Sequence, residues 1–145
     1  MNTVNEAKKV IIDSGPLVAF LNKNDKFHSW ALSQFSLLSP PFFTCESVIS
    51  EVTFLLRNTE NGPQNVLRLI ERELITIQFK LESELSIILN LINKYKDIPM
   101  SLADACLVRM SEQITNSIIC TLDSDFNIYR KDKRKIIPVL IPEDF

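Results

Sequence analysis

The strongest constraint in this chain is an apolar, strand-forming block that ends on a carboxylate, and it occurs twice. Val10-Ile11-Ile12 runs straight into Asp13, and the apolar stretch 117–122 runs straight into Asp123. Consecutive β-branched residues suit a strand covered on both faces, which is the situation inside a parallel sheet. Further short strands are predicted at 42–44, 74–79 and 136–141. Helical stretches are predicted between them at 16–22, 25–38, 45–58, 64–73, 81–95 and 101–113, with Thr44 as the cap of the third. Strands separated by helices predict a three-layer α/β/α sandwich around a central parallel sheet. With 145 residues the chain is expected to form one domain over 8–145 behind a polar tail at 1–7.

Several kinds of chemistry are excluded by what the chain lacks. It has two glycines, Gly15 and Gly62, so neither a phosphate-cradling Walker loop nor a GxGxxG dinucleotide turn can be built. A single histidine, His28, excludes a multi-histidine zinc site. Cys45, Cys106 and Cys120 are widely spaced with no CxxC pair, and read as reduced, buried thiols. The N-terminal segment lacks the apolar stretch of a signal peptide and no apolar run approaches a membrane span, so a soluble, cytoplasmic protein is expected.

The acids that interrupt this pattern are the informative residues. Asp13 and Asp123 each end a predicted strand, and ligands of open parallel sheets bind beyond the carboxyl ends of the strands. If the two strands are neighbours, two carboxylates stand side by side, an arrangement that costs free energy unless a cation such as Mg²⁺ or Mn²⁺ is present. An Asp in this position also simply caps the following turn. Glu51 falls among Val48, Val52 and Leu55, on or beside the apolar face of its helix, with no basic residue nearby before Arg57. The competing reading for Glu51 is a solvated edge position. Asp104 forms a capping-box pattern with Ser101, which by itself requires no catalytic role.

Taken in order, the contexts of these acids resemble the PIN-domain family, in particular the VapC-like ribonuclease toxins of toxin–antitoxin pairs. The resemblance is carried by Val-Ile-Ile-Asp13-Ser14, Ser47-Val-Ile-Ser-Glu51-Val-Thr, Asp97-Ile-Pro-Met-Ser-Leu-Ala-Asp104-Ala and Thr121-Leu-Asp123-Ser-Asp125-Phe126. It implies a PIN-like fold and a Mg²⁺- or Mn²⁺-dependent endoribonuclease that hydrolyses RNA phosphodiester bonds. Asp13, Glu51, Asp104 and Asp123 would form its catalytic and metal-binding cluster. Asp125 matches a less constant acid of the family, and Ser14 and Thr121 match auxiliary hydroxyl positions. An antitoxin partner and a homodimer are implied as well. The alternative is a PIN-fold module that binds RNA or protein without catalysis.

Charge enters here. Sixteen basic against 18 acidic residues leave −2, which excludes a uniformly basic nucleic-acid coat. If metal neutralises four acids, the balance becomes 16 against 14, or +2. Arg130, Lys131, Lys133, Arg134 and Lys135 crowd into one run directly after Asp123. This run either steers RNA phosphates toward the acids or forms a solvated loop.

Overall fold

The computed structural model describes residues 7–143. The expected Val10-Ile11-Ile12 block forms β1 (Lys9–Ile12), and these three side chains are at most 1% exposed. β1 is central to the sheet, pairing on both edges, with β2 (Phe42–Thr44) on one side and β4 (Ser117–Cys120) on the other. Adding β3 (Ile75–Ile77) beyond β2 and β7 (Val139–Leu140) beyond β4 completes a five-stranded sheet in the order β3-β2-β1-β4-β7, parallel throughout.

Helices fill the crossovers in pairs. α1 (Ser14–Leu21) and α2 (His28–Leu37) join β1 to β2, and α3 (Glu46–Leu55) and α4 (Gly62–Glu71) join β2 to β3. α5 (Leu85–Lys94) and α6 (Leu102–Gln113) carry the chain back to β4. The first four helices pack among themselves, while α5 packs on α6. Right-handed crossovers place the two groups on opposite faces, giving the expected α/β/α layers. Strand order reverses between β1 and β4, so the crevice at their carboxyl ends is the switch point of the sheet. Gly15 lies close against this edge, and a Cβ on it would come 3.1 Å from the Leu122 side chain. Among the described residues, no helix is long and apolar enough to cross a membrane.

Several boundaries differ from expectation, each for a local reason. The strand expected over 117–122 ends at Cys120, because the Thr121 hydroxyl accepts the Asp123 N–H and turns the chain. Thr44 does not cap α3. Its hydroxyl donates to the Ile12 carbonyl at 2.7 Å and ties β2 to β1, leaving Cys45 at the cap position. α2 begins at His28 rather than Asp25, since the Asp25 carboxylate accepts the Phe27 N–H and closes a turn. The expected final strand over 136–141 is two pieces. Lys135–Ile136 (β6) pairs antiparallel with Arg130–Lys131 (β5), and the chain passes through Pro138 before β7 joins the sheet.

The basic run is therefore a ribbon rather than a loop. It turns through Asp132 and Lys133 at positive φ, 48° and 73°. It is docked on α5 and α6: Lys131 Nζ donates to the Ser111 carbonyl, the Asp132 N–H to Glu112, and Lys94 Nζ to the Lys133 carbonyl.

Candidate metal centre

A crevice of about 350 Å³ opens at the carboxyl ends of β1 and β4, lined by Asp13, Ser14, Gly15, Glu51, Ser101, Asp104, Leu122 and Asp123. The four acids singled out in the sequence thus meet on one cavity, each delivered by a different element. Asp13 follows β1 and caps α1, Glu51 lies on α3, Asp104 is in the first turn of α6, and Asp123 caps the 3₁₀ turn Ser124–Asn127 beyond β4.

Asp13 is the most buried, 7% exposed, and both its oxygens are engaged. Oδ1 accepts the Ser14 N–H at 2.7 Å, and Oδ2 accepts the Thr121 hydroxyl at 2.7 Å. Desolvation raises its carboxyl pKa to about 6; the Thr121 and Ser14 hydrogen bonds oppose the rise, and the nearby Asp104 and Glu51 charges add to it. Asp104 is half-buried and raised in the same direction, first by desolvation and then by the charge of Asp123. Mutual repulsion among acids at four separate chain positions is a second sign that they share one field.

Around Asp104 the expected capping box is present. The Ser101 hydroxyl accepts the Asp104 N–H at 3.0 Å, and Asp104 Oδ2 accepts the Ser101 N–H at 3.3 Å. The same Oδ2 also accepts the hydroxyl of Tyr129 at 3.3 Å. Tyr129 is fully buried, and the sequence does not single it out. No local signal marks it, because its partner lies 25 residues away on another element.

Glu51 resolves to the solvated edge of α3, exposed yet lining the crevice, and it makes no ion pair among the described residues. Arg57 makes no ion pair with it among the described residues; its guanidinium stacks 3.9 Å from the Phe54 ring centroid. Asp125 does not line the cavity. Its N–H donates to Asp123 Oδ1 and its carbonyl accepts from Ile128 and Tyr129, so it shapes the turn that presents Asp123. Ser14 lines the crevice, whereas Thr121 sits beneath it, fully buried, linking Asp13 to the Asp123 backbone.

Arg130 and Lys131 are absorbed into the structure. Arg130 Nη1 donates to the carbonyls of Asn127, Ile128 and Tyr129, and Lys131 reaches Ser111. The side chains of Lys133, Arg134 and Lys135 bond to nothing else among the described residues.

Carboxylates with the hydroxyls of Ser14 and Ser101 make an all-oxygen lining, which suits a hard divalent cation and not a soft one. Among the described residues no group of three or more Asp, Glu, His or Cys side chains stands close enough together to hold a metal ion as it is. The fit is therefore one of donor chemistry and shared location on an open crevice.

No family model matches the chain, and no curated protein matches it in sequence. Its architecture is nevertheless that of a PIN-like α/β/α domain. The structure of VapC20 from Mycobacterium tuberculosis, described as a sarcin-ricin loop cleaving toxin, superimposes with a TM-score of 0.67 at 17% identity. The match covers 90% of this chain and 100% of that one.

Proposed function

We propose that this protein is a metal-dependent endoribonuclease and the toxin of a toxin–antitoxin pair. One observation carries the reading: four acids from four elements line a single crevice at the switch point of a fold shared with a VapC toxin. Four carboxylates alone would repel a phosphodiester, so catalysis on RNA at this crevice would need cations held among them.

Asp13, Asp104 and Asp123, with Glu51, would hold Mg²⁺ or Mn²⁺. The bound ion would supply charge neutralisation at the phosphate and a lower pKa for the attacking water. The chain's own residues do the rest. Thr121 and the Ser14 N–H fix the plane of the Asp13 carboxylate, and the Ser101 N–H fixes that of Asp104. Glu51, exposed and without an ion pair among the described residues, would orient a water for in-line attack. Lys133, Arg134 and Lys135, exposed on the ribbon, would contact RNA phosphates.

The likeness to VapC20 makes a structured RNA loop the first substrate to test, with an antitoxin protein, a homodimer and a cytoplasmic location as companion proposals. Purified protein should cleave such RNA in Mg²⁺ or Mn²⁺. Cleavage should stop in excess chelator and in Asp13→Asn. Cleavage that survives chelation would refute the reading.

A further inference from the structure

We propose that Tyr129 is a positioning residue for the metal site, setting Asp104 through its buried hydroxyl. This inference rests on the reading of the crevice as a cation site.

A fully buried tyrosine hydroxyl needs a partner, and this one donates to Asp104 Oδ2 at 3.3 Å. The ring around that hydroxyl is held on two sides. Tyr95, at the end of α5, packs edge-on at 5.0 Å between centroids, and Phe126, in the turn after Asp123, packs edge-on at 5.3 Å. The Tyr129 N–H donates to the Asp125 carbonyl at 3.1 Å, fixing the backbone of the same turn. The phenol thus connects the turn that presents Asp123 to the helix that presents Asp104.

Its effect on Asp104 is directional. Oδ2 takes both the Ser101 N–H and the Tyr129 hydroxyl, while Oδ1 receives no hydrogen bond among the described residues and is left for the crevice. Thr121 donates to Asp13 Oδ2 from the start of the connection that Tyr129 ends, while the Ser14 N–H engages Oδ1. One segment, 121–129, therefore sets the orientation of an acid from β1 and an acid from α6. Ordinary phenols ionise near pH 10, so the hydroxyl is a donor at every pH where an RNA would be cut.

The test is direct binding of Mn²⁺, followed by electron paramagnetic resonance on metal-free protein, for wild type, Tyr129→Phe and Tyr95→Phe. Phe fills the same volume, and Tyr95→Phe removes the other phenol of the aromatic cluster, whose hydroxyl accepts the Arg130 N–H at 2.9 Å and touches no acid. Losing an outer partner of a ligand typically weakens metal binding about 10–100-fold. Tyr129→Phe should fall in that range with circular dichroism unchanged, and Tyr95→Phe should bind as wild type does. If wild type binds Mn²⁺ and Tyr129→Phe binds it equally well, Tyr129 is only packing and the inference fails while the cation site stands. If both phenylalanine variants weaken Mn²⁺ binding equally, the effect is general packing and the inference again fails. If wild type binds no Mn²⁺, the cation site and this inference fall together.

Discussion

The hydroxyl of Thr121 donates to Asp13 Oδ2 at 2.7 Å across 108 positions of sequence, and the same hydroxyl oxygen accepts the Asp123 N–H at 2.9 Å. One side chain therefore holds the end of β1, the end of β4 and the turn between the two acids in register. Thr121→Val keeps the β-branched shape but strips both bonds, leaving a buried carboxylate oxygen and a backbone N–H without partners. A buried group left unsatisfied costs about 1–3 kcal/mol, so urea denaturation should show a loss in that range. Thr121→Ser should recover most of it.

The raised Asp13 pKa makes a prediction about pH whose sign is opposite to that of a salt-bridged acid. Its carboxyl titrates near 6 in the folded protein against an ordinary 3.8, so the folded state binds the extra proton between those values. Its favourable contribution is complete below about pH 4 and is lost as pH rises through 6. At pH 7.5 in chelator, Asp13→Asn should therefore be more stable than wild type, by on the order of 1–3 kcal/mol, with the gap closing toward pH 4. Saturating Mn²⁺ should stabilise wild type and leave the variant unchanged, because only a folded state that binds the ion gains from it. Thermal melts at the two pH values, with and without the ion, check both statements.

The basic ribbon divides into two functions that mutagenesis can separate. Replacing Lys133, Arg134 and Lys135 with Gln should leave the melting temperature nearly unchanged, since exposed substitutions usually stay within about 0.5 kcal/mol. The same triple variant should flatten the log–log salt dependence of RNA binding, by about 0.7 for each single-strand phosphate that the protein no longer neutralises. Arg130→Gln should instead cost stability, since it removes three bonds to the carbonyls of 127–129. A filter-binding series in potassium chloride measures the slope.

Much of the fold is legible in the sequence because local chemistry and tertiary context agree. Val10-Ile11-Ile12 is β-branched throughout and lies between two strands, and the Ser101–Asp104 capping box forms as its spacing implies. The differences fall where a side chain bonds across the structure instead of along the chain. Thr44 is a good cap by type, but its hydroxyl is claimed by the Ile12 carbonyl. Thr121 reads as a strand residue, but its hydroxyl ends the strand. Pro138 sits between two pairings of different sense, which an apolar run from 136 to 141 does not announce. In the crevice, the acids are visible because a charge at the end of an apolar block is conspicuous. Tyr129 is not, because a buried tyrosine and a surface one look alike until the fold supplies Asp104.

The central claim is that Asp13, Glu51, Asp104 and Asp123 form a divalent-metal site, and anomalous diffraction from a crystal equilibrated with Mn²⁺ tests it most directly. An anomalous peak is expected in the crevice within bonding distance, about 2.0–2.3 Å, of carboxylate oxygens from Asp13 and from at least one of Asp104 and Asp123. A crystal at saturating Mn²⁺ with no peak there, from protein that cleaves RNA in the same buffer, would contradict it.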